Sequence, residues 1–206
     1  ATFRGMEGCL RKVIYSAWMG YGSMGCDIGG YRESDKDRNL FIRWAQLGAY
    51  MPLMENGGGG EHRPWMYDTE VVDIYRKFVV EHYRLSTYLH TTGANSVDTN
   101  TSSIHPVDDK QIPSGDIDKA YVIYSQPKSY SYRLGDHILV HPVVFNVLND
   151  TNSAVVHMEF PVEADGSEAV WLDWWNPNYV HRSFKSGDKQ IRNVDFDSYA
   201  VYVREG

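Results

Sequence analysis

Polar side chains that could bind a ligand lie in two glycine-rich stretches in the first third of the chain. Asp27 precedes a Gly-Gly pair, and Glu55 and Asn56 precede a run of four glycines that leads to His62. Carboxylate, amide and imidazole groups offer the hydrogen-bond acceptors and donors that hold a polar ligand. Glycine lets a backbone or a ligand approach where a Cβ would collide. These two stretches are therefore predicted to form the rim of a pocket.

Each interpretation has a plainer alternative. Asp27 could cap a helix or form a turn, and the glycine run at 57–60 could be a flexible linker. We favour the pocket because no helix is predicted for several residues after Asp27, and because bulky or charged residues bracket the glycine run. For Glu61 and His62, a charged loop exposed to solvent and a binding role are equally compatible with the sequence.

Helices and short strands are predicted to alternate through the first half of the chain. Apolar residues recur at helical spacing in three segments. The first helix is predicted at 5–19, and the second ends near Tyr50 after a capping-box-like start at Ser34 and Asp37. The third is predicted from 68 or 69 to about 90. Strands are predicted at 23–26 and at 51–55, and the second would put Glu55 and Asn56 at a strand end. This alternation is typical of a (β/α)8 barrel, whose active-site residues lie on loops that follow the strands. About the last quarter of such a barrel is predicted here.

The second half of the chain is predicted to be all-β. Residues 98–103 are polar and loop-like, and strands separated by turn signals are predicted at 137–144, 155–162, 169–175 and 198–204. The fold class predicted is thus α/β followed by all-β. We assign 1–103 to the last βα units of a TIM barrel, and 104–206 to a β-sandwich-like domain.

Composition excludes several classes of protein. The 206 residues carry a net charge of −7, so the chain lacks the basic surface that nucleic-acid binding needs. No apolar run reaches the length of a membrane span. Six Trp and 15 Tyr suit carbohydrate, because an aromatic face can stack on a sugar ring, but aromatics also fill cores. Trp171, Trp174 and Trp175 are predicted to pack in the core.

Neither a disulfide nor a cofactor is predicted. Cys9 and Cys26 are the only cysteines, and two buried free thiols are expected. His137 and His141 lie four apart in a predicted strand, roughly 13 Å, which is too far to share a zinc ion. The sequence has no P-loop or dinucleotide fingerprint.

Three motifs carry a family resemblance. Residues 27–31 read Asp-Ile-Gly-Gly-Tyr, residues 43–52 read Arg-Trp-Ala-Gln-Leu-Gly-Ala-Tyr-Met-Pro, and the second glycine loop ends in Pro64-Trp65. In order and spacing they resemble glycoside hydrolase family 31, the retaining α-glycosidases that include α-glucosidases and α-xylosidases. Segments around 132–143, 171–175 and 201–206 are similar to that family's β-domain. The resemblance covers nearly the whole chain.

This resemblance implies a function and a set of site residues. Asp27 would lie at the end of a barrel strand and hydrogen-bond the sugar at the cleavage point. Many members carry an Arg-Asn-His run that binds the sugar where this chain has Met54-Glu55-Asn56, so Glu55, Asn56 or the later His62 would take over those contacts. The implied substrate-binding set is Asp27, Ile28, Glu55, Asn56 and His62.

The same resemblance implies that no catalytic residue lies in this chain. Retaining glycosidases use two carboxyl groups roughly 5 Å apart, and in family 31 both are aspartates, one after the fourth barrel strand and one after the sixth. The helix at 5–19 corresponds to the one after the sixth strand, so both aspartates are expected before Ala1 of an internal fragment. The expected partners are an α-linked carbohydrate and the rest of the parent polypeptide. A non-catalytic carbohydrate-binding or structural module is the alternative.

Overall fold

The computed structural model describes residues 2–32, 37–107, 129–145, 153–163, 165–176 and 183–206. Its helices are α1 (Phe3–Trp18), α2 (Arg38–Ala49), α3 (Thr69–Arg84) and α4 (Ser86–Thr99), with a short 3₁₀ turn at Pro64–Met66. Its strands are β1 (Gly25–Asp27), β2 (Leu53–Glu55), β3 (Ile104–Pro106), β4 (Tyr132–Leu134), β5 (Ile138–His141), β6 (Ala154–Glu159), β7 (Val170–Asp173), β8 (Ser183–Lys185), β9 (Lys189–Val194) and β10 (Ala200–Arg204).

Helix α1 confirms the prediction made from its apolar spacing. The helix begins two residues earlier than expected because the Thr2 hydroxyl accepts a hydrogen bond from the Gly5 N–H at 3.0 Å. One face is buried, formed by Met6, Leu10, Val13, Ile14 and Ala17. This face packs α1 against the core that also supports β1.

Strands β1 and β2 pair in parallel, with α2 as the connection between them. Asp37 caps α2, since its side chain accepts from the N–H groups of Asn39 and Leu40. The predicted partner Ser34 lies outside the described residues. Nearly all of α2 is buried, from Leu40 through Ala49. This helix therefore fixes the relative position of the two strands.

The long helix predicted from 68 to about 90 is two helices. Leu85 has ψ −2°, far from the helical value near −42°, so α3 ends at Arg84 and α4 begins at Ser86. The loop predicted at 98–103 is also partly wrong, because α4 continues to Thr99 and ends at Asn100, whose φ is 54°. Helix α4 has no continuous apolar stripe, and its threonine hydroxyls donate to carbonyls one turn earlier.

The second half forms two antiparallel sheets in the described residues. Six strands pair in the order β3-β4-β5-β10-β7-β8, and β6 pairs with β9. The four predicted strands are found in shorter form. Strands β3, β4 and β8 were missed because three residues are too few for an alternating pattern, and β9 was missed because Val194 is its only buried residue.

The helical half and the β-rich half share one core. The Tyr50 ring stacks on Tyr199 at 6.1 Å and meets Trp174 edge-on, and the Tyr132 hydroxyl donates to the Tyr50 carbonyl at 2.9 Å. Trp171 is fully buried, as predicted for the core. The next two tryptophans pack against the core at this junction. The two halves therefore cannot move independently without breaking buried aromatic contacts.

Both cysteines are free, as predicted, but only Cys26 is fully buried. Cys9 is half-buried, which corrects the expectation of two buried thiols. The hydrogen bond with Cys9, together with burial, raises the pKa of Cys26 well above its ordinary value. The Cys26 thiol is therefore protonated at neutral pH.

Candidate functional site

Two carboxylates end the two parallel strands side by side. Asp27 and Glu55 are direct register partners at the carboxyl ends of β1 and β2, and the Ile28 N–H extends the pairing to the Glu55 carbonyl at 2.9 Å. Register partners in a parallel pair point to the same face, on strands about 4.8 Å apart. Asp27 is half-buried and Glu55 is exposed. The strand ends thus present two acidic groups on one face, open to a ligand.

The opposite face of β1 is closed by helix α2. The buried Cys26 Sγ accepts from the Trp44 indole N–H at 3.3 Å and lies 3.9 Å from the Met51 sulfur. Because side chains alternate along a strand, Asp27 points away from this helix-covered face. The burial of Cys26 therefore determines which way the carboxylate faces.

Ile28 contributes to the site through its backbone. Its side chain is fully buried and packs so closely on α2 that a Cβ at Gly48 would lie 3.3 Å from Ile28 Cγ1. Its carbonyl oxygen accepts from a histidine of the second glycine loop. Ile28 thus shapes the floor of the site from inside the core.

His62 joins the two glycine-rich loops. The imidazole is 9% exposed, with Nδ1 2.9 Å from the Ile28 carbonyl and Nε2 3.2 Å from the Gly59 carbonyl. Both partners are backbone carbonyl acceptors, so a ring nitrogen that carries a proton donates to the carbonyl that it faces. This burial rules out an exposed side chain at His62 and gives it a bracing position.

The second loop is also tied to itself. Asn56 Nδ2 donates to the His62 carbonyl at 2.7 Å. Glu61 accepts from the Arg63 backbone N–H at 3.0 Å and from its guanidinium at 2.8 Å, and the Tyr67 hydroxyl donates to the Glu61 carbonyl at 3.0 Å. Side-chain bonds therefore hold the loop at both ends, which argues against a flexible linker at 57–60.

Glycine is required where the loops meet. Gly29 has φ +81°, and a Cβ there would lie 3.1 Å from His62 Nδ1. Gly58 has φ +112°, and a Cβ there would overlap the carbonyl of Tyr31. The same carbonyl accepts from the Gly59 N–H at 2.8 Å. The glycines thus allow direct backbone contact between the two loops.

Two exposed aromatic rings belong to the same loops. Tyr31 and Trp65 are each 68% exposed, one after the Gly-Gly pair and one after the second glycine run. Neither was among the residues predicted to bind a ligand, although both lie in the motifs that carried the resemblance. Their exposed faces are suited to contact with an apolar ligand face.

Helix α2 is held to the β-rich half by one buried cluster. Arg43 donates to Gln46 Oε1 at 2.9 Å and to three carbonyls of the 194–198 turn, at Val194, Asp195 and Ser198, at 3.0 to 3.2 Å. Gln46 Nε2 donates to a fourth carbonyl in that turn, at Phe196, at 2.7 Å. Burial lowers the pKa of Arg43 to about 10, so the guanidinium stays charged at neutral pH. This cluster fixes the helix behind the candidate site.

Among the described residues, no group of three His, Cys, Asp or Glu side chains is arranged to hold a metal ion. Within the same residues, no helix combines the length and apolar character needed to cross a membrane.

Comparison with known proteins points to one family. Residues 1–92 match the family model for the glycosyl hydrolases family 31 TIM-barrel domain. This match covers the helical half of the chain and supports membership of glycoside hydrolase family 31. Curated relatives include neutral alpha-glucosidase C of Mus musculus, 26% identical over 185 residues, which are 88% of this chain and 18% of the relative. They also include a 1,3-alpha-isomaltosidase of Kribbella flavida, 25% identical over 219 residues, 99% of this chain and 27% of the relative.

Solved structures of the family share the fold of both halves. A xylosidase from Aspergillus niger superposes with a TM-score of 0.70 at 19% identity, covering 96% of this chain and 30% of that one. A family 31 dextranase from Flavobacterium johnsoniae in complex with glucose gives 0.66 at 22% identity, covering 96% and 23%. The chain spans about a fifth of the length of the first curated relatives, 18% and 20%.

Proposed function

We propose that this chain forms the sugar-binding wall of a retaining glycosidase that hydrolyses α-glycosidic bonds. The observation that carries the proposal is the pairing of Asp27 with Glu55 at the carboxyl ends of β1 and β2. This is the end of the strands at which barrel enzymes bind their substrates. The family relatives that support it are named for action on α-glucosides and isomaltose-type sugars.

Asp27 and Glu55 accept hydrogen bonds from sugar hydroxyls. A carboxylate bound to a hydroxyl makes a charge-assisted bond, which is stronger than a neutral one. Asp27 is the better placed of the two, because the Cys26 contact behind it fixes its direction, whereas Glu55 is exposed. Asn56 keeps its side-chain oxygen for a ligand while its amide nitrogen holds the loop.

His62 and Ile28 position the rim of this site. The imidazole bridges the loops through the Ile28 and Gly59 carbonyls, so it orders the backbone that surrounds Asp27. Tyr31 and Trp65 supply the aromatic faces that a sugar ring can cover. The site thus combines carboxylate acceptors with exposed rings, a combination suited to a neutral polyhydroxylated ligand.

The catalytic nucleophile and acid/base lie outside these 206 residues. In this proposal 1–103 are the last βα units of the barrel, 104–206 are a β-sandwich-like domain, and the rest of the polypeptide supplies the catalytic pair. The length of the relatives supports this division, since the chain spans 18% of neutral alpha-glucosidase C. The shared aromatic core explains why the two parts occur together.

The test compares the 206-residue chain with the product of the complete gene. With aryl α-glucoside and α-xyloside, the chain alone should give no turnover, because a missing general acid alone costs about 10²- to 10⁴-fold in rate. The complete product should hydrolyse one of these substrates with retention of anomeric configuration, followed by proton NMR.

Other outcomes have distinct meanings. Turnover by the chain alone that is lost in Asp27→Asn or Glu55→Gln would assign catalysis to this pair and overturn the division of labour. Sugar binding without turnover in the complete product would instead identify a non-catalytic carbohydrate-binding module.

A further inference from the structure

A groove lies away from the candidate site, near the amino end of β1. It has a volume of about 1150 Å³ and runs between the carboxyl end of α1, helix α4, strand β3 and the turn that joins β4 to β5. Met19 and Gly20 line it, and they precede β1, whereas Asp27 ends that strand. None of its lining residues belongs to the site around Asp27.

The α4 wall of the groove presents hydrogen-bond acceptors. Thr91, Thr92 and Thr99 each donate their hydroxyl proton to the carbonyl four residues earlier, at 2.7 to 3.0 Å. Ser96 donates to the Gly93 carbonyl at 2.7 Å. A hydroxyl whose proton is used in this way still has lone pairs to offer. Thr99 Oγ1 also lies 2.7 Å from the Thr101 hydroxyl, which takes one of its two lone pairs and leaves the other. This face of α4 is therefore suited to a ligand that donates hydrogen bonds.

The facing wall has no strong net charge. His105 Nδ1 lies 3.6 Å from Asp136 Oδ1, and His105 Nε2 lies 2.7 Å from the Ser102 carbonyl. Arg133 is paired with Glu163 at 3.1 Å. Among the lining residues, Arg133 is the one formal cation and Asp136 the one carboxylate, so their opposite charges balance and the groove does not favour an ion of either sign. A neutral ligand fits it better than a phosphate or an amine.

Aromatic groups complete the lining. Trp18 and Tyr88 lie in the groove, and the Tyr88 ring is fixed because its hydroxyl donates to the Leu134 carbonyl at 2.7 Å. The same hydroxyl oxygen accepts from the His137 N–H at 3.2 Å. A fixed ring can contact the apolar face of a sugar. The hydroxyls of that sugar can then donate to the acceptor oxygens that border the ring.

We propose that this groove is a second carbohydrate-binding site, which takes a neutral oligosaccharide. The volume exceeds the roughly 300–1,000 Å³ typical of sites for single small molecules, so an extended ligand is accommodated. The position between the helical and β-rich halves is also a common place for ligand sites. This inference does not depend on catalysis, because it is drawn from the groove alone.

The test is an amide NMR titration of the 206-residue chain with maltotriose. Saturable shifts are expected at groove amides, including Gly20, Thr92, Ser96 and Gly135. Asp27→Asn should leave these shifts unchanged, which separates the groove from the proposed sugar site. Absence of saturable groove shifts, or shifts confined to the loops around Asp27, would overturn the proposal.

Variants of the acceptor wall make the test specific. Thr91→Val and Thr99→Val together keep the shape and remove two acceptors, so the Kd for maltotriose should rise about tenfold. Thr69→Val, an exposed site on α3 outside the groove, is the matched control and should leave the Kd unchanged. Urea midpoints confirm that the double variant and the control both fold. Equal affinity of the double variant and the control would contradict the inference.

Discussion

Arg43 on helix α2 donates through Nη2 to the carbonyl oxygen of Val194, 3.0 Å away and 151 positions along the chain. This bond belongs to a buried cluster that satisfies carbonyls of the 194–198 turn. Helix α2 also carries Trp44, which bonds Cys26 beside Asp27. Helix α2 thereby connects the β-rich half to β1, the strand that carries Asp27, the residue proposed to bind the sugar.

Replacing Arg43 should destabilise the chain strongly. Arg43→Ala removes two buried hydrogen bonds, to the Val194 carbonyl and to Gln46 Oε1, and two part-buried ones to the Asp195 and Ser198 carbonyls. Each buried group left unsatisfied costs about 1–3 kcal/mol, so a loss of at least about 2 kcal/mol is expected. Urea unfolding measures this loss. Arg76→Ala removes an arginine from an exposed ion pair with Asp73 and should change stability by less than about 0.5 kcal/mol. Similar losses in both variants would show that the cluster adds little.

Gly58 and its neighbour Gly59 offer a matched pair in the second glycine loop. Gly58→Ala forces a side chain into φ +112° and onto the Tyr31 carbonyl, and should destabilise by about 2 kcal/mol or more. A Cβ at Gly59 meets nothing within 4 Å, so Gly59→Ala should be neutral or stabilise by up to about 1 kcal/mol. Equal urea midpoints for the two variants would mean that the loop is not held as described.

Stability should fall in acid because of His141. Burial lowers its pKa from 6.5 to about 3, while its Nδ1 lies 2.7 Å from the Ser131 hydroxyl. The unfolded chain takes up a proton below pH 6.5 and the folded chain does not, so this stabilisation is complete above pH 6.5 and is lost as pH falls towards 3. Between pH 7 and 4.5 the loss is about 2–3 kcal/mol.

A variant isolates this contribution from that of the carboxylates. His141→Gln cannot take up a proton, so its unfolding free energy should fall less between pH 7 and 4.5 than that of the parent chain. The difference in the two losses reports His141 alone. Parallel pH profiles would mean that His141 is charged in the folded state or does not titrate in this range.

The sequence predicted the elements that have a clear local pattern of apolar residues. Helix α1 has an apolar stripe, so its position followed from spacing, but the Thr2 cap that sets its first residue was not predicted. The stripe of α3 runs on through the buried Leu85, so periodicity alone could not show that the backbone breaks there. The end of α4 was missed because its face towards the groove is polar and its carbonyls are bonded by threonines.

The residues of the candidate site were named from the sequence and stay a prediction, and their geometry could not be read from it. The order of strand, glycine turn and helix put Asp27 and Glu55 at strand ends, but it did not give their direct pairing. The bracing by His62 depends on the carbonyl of Ile28, 34 positions away. Backbone carbonyls are identical at every residue, so no sequence pattern marks such a partner.

The most direct test of the account is kcat/KM of Asp27→Asn in the product of the complete gene, measured with its α-glycoside. The change keeps the shape and weakens a charge-assisted bond worth about 1.5–3 kcal/mol, so a loss of at least tenfold is expected, equivalent to about 1.4 kcal/mol. Asp98→Asn, an exposed position on α4, is the matched control and should stay within about twofold of the parent. A loss below tenfold for Asp27→Asn, with the enzyme otherwise active, would contradict its placement against the sugar.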